Sequence, residues 1–210
     1  MILATILLAT LLATATPADA NAVTECDRLA SNPEDPDRVA PGVPREDVKL
    51  EAAIAACDAE AARQPANTRQ RYQLARVLFY AGQTERAAKE MRAAADAGNR
   101  QAQFVYGALI SNRRENAPAD MCLVEQYWLK SARAGRQAAR VSYVRHVLRG
   151  RFEGCRIQAS RDEMTRLLDE ARAQAKDYYE RLLIEDLTAQ LAASQAGTAP
   201  SNSSERGNHE

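Results

Sequence analysis

The sequence lacks the motifs that carry the common kinds of enzyme chemistry. Its 210 residues contain no Gly-rich phosphate loop, no HExxH metal-binding motif and no GxSxG nucleophile motif. Histidine is limited to His146 and His209, and the four cysteines show no CxxC spacing. Because no histidine or carboxylate cluster accompanies the cysteines, metal ligation is disfavoured as well. These absences predict a non-catalytic protein with no metal and no cofactor.

One catalytic alternative stays open from the residue types alone. Cys155 and His146 could serve as nucleophile and base of a hydrolase, provided that the Cys155 thiol is free. Glu185 and Asp186 offer no acid–base pair, because residues adjacent along a helix point to different sides. The state of the Cys155 sulfur therefore decides this alternative.

Net charge and aromatic side chains are also scarce, since the formal charge is zero and aromatic residues make up 5% of the chain. Neither nucleic acid nor a membrane surface is therefore favoured as a partner. The charge is uneven: residues 21–65 hold ten acidic and five basic residues, whereas residues 100–161 hold twelve basic and four acidic residues. An acidic peptide or an anionic envelope polymer would be attracted to the basic part. Docking of the acidic start onto the basic middle of the same chain is the alternative.

An unbroken apolar run occurs at the start of the chain, where residues 2–13 are apolar or threonine. The run is short for a membrane span, and Ala18-Asp19-Ala20 has the small-x-small form of a cleavage site. We predict a signal peptide over residues 1–20, export to the periplasm or the exterior, and no membrane span in the mature chain. No Lys or Arg precedes the run, which departs from the usual signal, and an ordinary core helix is the alternative.

Four cysteines in an exported chain favour two disulfides over free thiols. Three pairings are possible for four cysteines. We predict Cys26–Cys57 and Cys122–Cys155, because each pair closes a local loop beside a predicted helix. The first bond would tie the N-terminal segment to the first helix, and the second would clamp a long loop.

Apolar residues at helical spacing predict an all-α chain. Residues 21–44 are punctuated by proline and lack this spacing, so an irregular segment is expected there. Residues 45–193 form the predicted helical domain, and the polar residues 194–210 a disordered tail. The predicted helices cover residues 45–63, 69–81, 84–98, 100–112, 120–134, 137–149 and 160–193, and the last can bend near residues 175–177 into two.

The helical part repeats itself. Aligning Gly98 with Gly135, an offset of 37 residues, also places apolar residues on apolar residues, such as Met91 on Trp128. A fixed offset of this kind is typical of stacked helix pairs, which cannot bury their apolar faces alone. Gly107, in the middle of a predicted helix, indicates the close approach of a neighbouring helix.

The same residues resemble two related repeat families, the tetratricopeptide repeat and the Sel1-like repeat. Residues 72–98 are similar to a complete tetratricopeptide unit, and residues 94–103 are similar to a Sel1-like junction, in which a helix ending in two alanines meets a glycine. Val144 departs from the pattern, which has glycine there. The resemblance covers about residues 53–149 and implies a right-handed α-α superhelix, or solenoid, used for contacts with proteins.

The resemblance also implies which side chains face a bound peptide, because the first helix of each hairpin lines the concave side in these families. The matching positions are Arg69, Tyr72, Arg76, Tyr80, Gln101, Asn112, Arg145 and Arg149. Arginine suits such a role because it binds a carboxylate through two hydrogen bonds. We expect an exported adaptor or scaffold for a protein or acidic peptide partner, and the alternative is a regulatory accessory subunit of a cell-envelope enzyme.

Overall fold

The computed structural model describes residues 22–112 and 120–196, and this part of the chain is helical without a strand. The all-α prediction is therefore confirmed. The predicted signal peptide, residues 113–119 and residues 197–210 lie outside the described residues. The helices are α1 (Glu25–Ala30), α2 (Leu50–Arg63), α3 (Thr68–Tyr80), α4 (Thr84–Asp96), α5 (Arg100–Ser111), α6 (Met121–Arg133), α7 (Gln137–Leu148), α8 (Arg161–Gln174) and α9 (Tyr178–Ala196).

Side-chain caps and glycines set the ends of these helices. The side chains of Asn67, Asn99 and Asp120 each accept a hydrogen bond from the backbone N–H three residues later, which satisfies a donor that the first turn leaves unpaired. At the opposite ends, Gly98 (φ 93°) and Gly135 (φ 91°) adopt the left-handed conformation that follows many helices. The two glycines that define the repeat offset therefore both follow the end of a helix in the same backbone conformation.

Each helix packs on the helix that follows it in sequence, from α1 against α2 to α8 against α9. One apolar cluster lies among α1 to α4, and a larger one extends from α3 to α9. The predicted close approach at Gly107 is confirmed, because a Cβ there would lie 2.5 Å from Trp128 Nε1. The indole instead donates to the Phe104 carbonyl oxygen at 3.0 Å, which joins α6 to α5.

The N-terminal segment differs from the prediction. An irregular conformation over residues 21–44 is wrong for residues 25–30, which form α1. Thr24 and Asp27 make a capping box at its start, each side chain accepting from the backbone N–H of the other residue. Six residues are too few to show helical periodicity, so the Thr-x-x-Asp spacing was the signal that could have indicated this helix.

The ends of the predicted helical domain also differ. The helix predicted from residue 45 starts as a 3-10 turn, Arg45–Asp47, and the α-helix begins at Leu50. The helix predicted over residues 160–193 is the bent alternative, with α8 and α9 separated at residues 175–177. The tail does not begin at residue 194, since α9 continues to Ala196.

Candidate functional site

We call the side of α3, α5 and α7 that carries the eight implied peptide-binding residues the predicted binding face. Its α3 part is covered by the chain itself. Arg69, Tyr72 and Arg76 are each at most 8% exposed, and α1 with the loop that follows it binds them through hydrogen bonds. Gln101, at the start of α5, is also buried and donates to the Tyr72 hydroxyl at 3.4 Å. Both predicted disulfides are present, and Cys26–Cys57 fastens the α1 segment to α2.

The Asp27 carboxylate is the main anchor of this segment. It is completely buried and accepts hydrogen bonds from Arg69 Nε, Gln70 Nε2 and Gln73 Nε2, each at 2.9 Å. Burial acts to raise the pKa of Asp27, but the hydrogen bonds from Arg69, Thr24 and Gln73 outweigh it and hold the pKa below its ordinary value. A side chain of α1 and three side chains of α3 therefore form one buried ionic cluster.

Arg76 holds the end of α1 and the following loop through their backbone. Its guanidinium donates to the carbonyl oxygens of Ala30 at 2.9 Å, Ser31 at 3.3 Å and Val43 at 2.7 Å. Its Nε donates to the Tyr80 hydroxyl at 3.1 Å. One arginine of α3 thus binds three backbone carbonyl oxygens of this segment, of which that of Ser31 also accepts from the Val43 N–H at 2.8 Å.

Two further contacts extend the covered surface towards α5. Tyr72 accepts a hydrogen bond from Asn32 Nδ2 at 2.6 Å, and burial raises the pKa of Tyr72 to about 12. Arg100, from the basic part of the chain, pairs with Asp37 at 2.5 Å. The structure therefore joins the acidic start to the basic middle at this ion pair, whereas the buried contacts of the start are with α3.

The α7 part of the predicted binding face borders an open cleft of about 730 Å³. Its walls are α7, the end of α8, the first two turns of α9 and the loop over residues 33–38. Its larger apolar side chains include Val141, Leu183 and Ile184, and its charged side chains are Glu34, Arg38, Arg136, Arg145, Lys176, Asp177 and Glu180. The cleft is thus amphipathic, which suits a segment of a protein rather than a purely polar ligand.

None of the four cations of the cleft has an ion pair within the described residues. Arg38 donates to the Asp35 carbonyl oxygen at 3.1 Å. Arg136 donates to Gln101 Oε1 at 2.5 Å, and burial lowers its pKa. Arg145 Nε is buried without a hydrogen-bond partner among the described residues. Positive charge is therefore available in the cleft.

Two of the three carboxylates of the cleft are engaged by the backbone. Asp177 accepts from the Glu180 N–H at 2.9 Å, and Glu180 accepts from the Lys176 N–H at 2.8 Å. These bonds cap the first turn of α9 and fix both carboxylates there. Glu34 is exposed and acts on Arg136 as a nearby negative charge. It is the acidic side chain of the cleft that no backbone N–H holds among the described residues.

A ridge of exposed apolar side chains lies beside the cleft. Six large apolar side chains are exposed among the described residues, and four of them are on the first two turns of α9. We call these four the α9 ridge: Tyr178 (64% exposed), Tyr179 (79%), Leu182 (48%) and Leu183 (37%). Leu183 belongs to both the ridge and the cleft, so the two surfaces are continuous.

The remaining predicted site residues lie apart from this cleft. Asn112 is exposed and donates to the carbonyl oxygen of Ala108 at 2.9 Å. Arg149 is exposed as the C-cap of α7 and does not line the cleft. The sequence therefore indicated one of the cleft cations, Arg145, and missed Arg38, Arg136 and Lys176. Position alone could not reveal them, because they come together only when α9 and the N-terminal loop fold back onto α7.

The Cys155–His146 alternative fails on its nucleophile, because the Cys155 sulfur is bonded to Cys122. His146 is half-buried against Trp128 and Phe152, and burial lowers its pKa. Its Nδ1 lies 2.8 Å from the carbonyl oxygen of Ser142. Aromatic packing accounts for this histidine.

Comparison with known proteins gave no matching family model, no similar curated protein and no similar solved structure. Within residues 22–112 and 120–196, no helix combines the length and the apolar character that crossing a membrane requires. The same residues contain no group of three or more His, Cys, Asp or Glu side chains that could hold a metal ion.

Proposed function

We propose that this chain is an exported, non-catalytic adaptor that binds a segment of a partner protein in the α7–α9 cleft and on the α9 ridge. It would be built as a right-handed superhelix of helical hairpins of the tetratricopeptide and Sel1-like kind. Helix pairs that pack in sequence order, and the glycines with positive φ at the repeat offset, support this architecture. Two disulfides support export, because such bonds persist in oxidising compartments.

The observation that carries the proposal is the α9 ridge. Tyr178 and Tyr179 expose most of their surface, although α9 buries Ile184, Leu187 and Leu191 on its other side. Aromatic side chains are enriched in protein interfaces because they provide rigid apolar area together with a polar group. Exposed apolar residues concentrated on one helix, beside a charged cleft, mark a surface for a protein partner.

Site-specific photocrosslinking tests this proposal. Benzoylphenylalanine in place of Tyr179 should capture a discrete partner from envelope extract, whereas the same probe in place of Phe79 should not. Phe79 is a matched control, because it is an exposed aromatic residue (43%) on α3, away from the cleft. The captured protein should also copurify with the unmodified chain, and a Tyr178→Ser plus Leu182→Ser variant should lose it. Equal capture at both positions, or copurification that survives the double variant, would refute the proposal.

Export has a separate test. Intact mass after alkylation without reductant should show no free thiol in protein isolated from its native compartment, because all four cysteines are disulfide-bonded. Four alkylated cysteines in that material would contradict the expected oxidising location.

A further inference from the structure

Arg76 and Arg145 occupy the same position in two repeat-related helices. Each lies eight residues after the first residue of its helix, α3 beginning at Thr68 and α7 at Gln137. Arg76 donates to three backbone carbonyl oxygens of the chain's own N-terminal segment. Arg145 lines the open cleft, and its buried Nε has no partner among the described residues. The covered part of the predicted binding face thus shows what an arginine at this position binds.

We infer that the cleft binds an acidic peptide segment of the partner protein, with Arg145 donating to the oxygen atoms of that segment as Arg76 does to the N-terminal segment. This inference rests on the proposed function and specifies the chemistry of its ligand. A guanidinium presents five donors in a fixed plane, so one side chain can bind a carboxylate and a neighbouring carbonyl together.

Charge complementarity favours an acidic segment. Arg38, Arg136, Arg145 and Lys176 line the cleft without an ion pair among the described residues, whereas Asp177 and Glu180 are turned to the backbone of α9. A carboxylate entering the cleft would meet donors that lack a charged partner, and charge-assisted hydrogen bonds are the strong ones. The cleft thus has four cations and three carboxylates, and Glu34 is the carboxylate that no backbone N–H holds among the described residues, so such a ligand must displace or avoid it.

The apolar lining favours a peptide over an anionic polysaccharide. Val141, Leu183 and Ile184 line the same cleft as the cations. A polymer of charged sugars has no apolar side chain for these positions, whereas Leu or Val in a peptide would bury area against Val141 and Leu183, since Ile184 is already buried by the chain itself. The acidic residue and the apolar residue of the ligand would therefore be near neighbours in its sequence.

Two synthetic peptides test the inference on the full chain. One is a short fluorescent peptide of alternating Glu and Leu, amidated at its C-terminus, and the other has Gln in place of Glu. The Glu peptide should bind at least about tenfold more tightly in fluorescence anisotropy, since an ionised acceptor strengthens each hydrogen bond. A third peptide has the Glu sequence with a free C-terminal carboxylate. If the cleft recognises the Glu side chains, this peptide should bind no more tightly than the amidated one. Tighter binding would indicate that the cleft recognises the end of the chain.

Three variants locate the site. Arg145→Gln should weaken the Glu peptide about tenfold, and Arg149→Gln, the same charge change one turn later on α7 but outside the cleft, should change it less than about twofold. Glu34→Gln should tighten binding, because it removes a like charge from the cleft. If Arg145 only stabilised the fold, removing the negative charge of Glu34 would not be expected to increase the affinity for the Glu peptide. Circular dichroism confirms that each variant is folded.

The outcomes separate this inference from the proposed function. Absence of Glu-peptide binding, equal binding of both peptides, or equal loss in Arg145→Gln and Arg149→Gln would overturn the acidic-segment inference. In that case a partner still crosslinked at Tyr179 would leave the adaptor function standing. A polyuronate sugar should displace the fluorescent Glu peptide less effectively than the unlabelled Glu peptide does. Equal displacement would assign the cleft to an anionic polymer instead.

Discussion

The α3 and α7 parts of the predicted binding face carry similar side chains and have opposite surroundings. On α3, Arg69 and Arg76 are buried beneath the N-terminal segment, and each binds oxygen atoms of that segment. On α7, Arg145 borders an open cleft, and its Nε has no partner in the part of the chain that the structure describes. Two arginines at the same distance from the start of their helices thus have opposite surroundings, one filled by the chain itself and one open.

This difference shows what such a surface requires energetically. A buried guanidinium is costly unless oxygen atoms replace its water, and α1 supplies these atoms on α3 through the Asp27 carboxylate and the carbonyls near its end. On α7 the Arg145 side chain is partly exposed, and its Nε is buried without a partner among the described residues. The filled part therefore stabilises the fold, and the open part remains available for a ligand.

The largest expected effect concerns the Asp27 cluster. Asp27→Asn should lower the free energy of unfolding by about 3–5 kcal/mol, because it removes the buried carboxylate that pairs with Arg69. Asp37→Asn, which removes the exposed pair with Arg100, should cost less than about 1 kcal/mol. Urea denaturation at neutral pH measures the free energy of unfolding of both variants. If the two variants lose similar amounts, the buried Asp27–Arg69 pair is not what holds the N-terminal segment on α3.

The same variant has a predicted pH dependence. The folded-state pKa of Asp27 lies below its ordinary value. The ionised Asp27 therefore stabilises the folded state at pH values above its unfolded-state pKa. This stabilisation is lost as the pH falls through the folded-state pKa. The stability gap between wild type and Asp27→Asn should therefore narrow in acid. A gap that stays constant down to the acid transition would contradict the assigned role.

The two disulfides allow the covered α3 region to be compared with the rest of the chain, because they close loops of nearly equal length, with separations of 31 and 33 residues. Replacing either pair by serine should cost about 3–4 kcal/mol through the entropy of the unfolded chain. Only the Cys26→Ser, Cys57→Ser variant should also speed trypsin cleavage at the exposed Arg38, because it frees the segment that covers α3. Equal cleavage in the Cys122→Ser, Cys155→Ser variant would contradict this local role.

A smaller effect of opposite sign is expected at Asp35. This carboxyl is completely buried, and its Oδ2 has no partner among the described residues; burial raises its pKa. Its charged form therefore destabilises the fold at neutral pH, and this cost disappears as the pH falls through the raised pKa. Asp35→Asn should stabilise the protein by about 1 kcal/mol at neutral pH, with a gain that shrinks in acid. A loss of stability at neutral pH would contradict this account.

The sequence predicted the features that depend on neighbours along the chain. The helices from α3 to α7 follow from apolar stripes, caps such as Asn67 and Asp120, and glycines such as Gly98. At the start of α8, Ser160 and Glu163 have the spacing of a capping box. Only half of the box forms: Ser160 accepts from the Glu163 N–H, but the Glu163 side chain binds Arg133 of α6 instead of the backbone of Ser160. A contact with another helix thus overrides a local pattern.

The candidate site was harder to predict because it combines distant segments. Glu34 and Lys176 face one cleft although more than half of the chain separates them. The burial of Arg69 and Arg76 depends on α1, which is too short to give a periodic signal. The tertiary fold decides whether the predicted binding face is open or covered. The spacing of the repeats in the sequence does not predict this.

One paired measurement tests the central contrast most directly: the urea-unfolding free energies of Arg76→Gln and Arg145→Gln, the same substitution at the same position of α3 and α7. Arg76→Gln should lose about 2–3 kcal/mol, because two buried carbonyl oxygens and one partly buried carbonyl oxygen lose a charged donor. Arg145→Gln should change stability by less than about 0.5 kcal/mol. Equal losses, or a larger loss at Arg145, would contradict the assignment of α3 as the filled part and α7 as the open part.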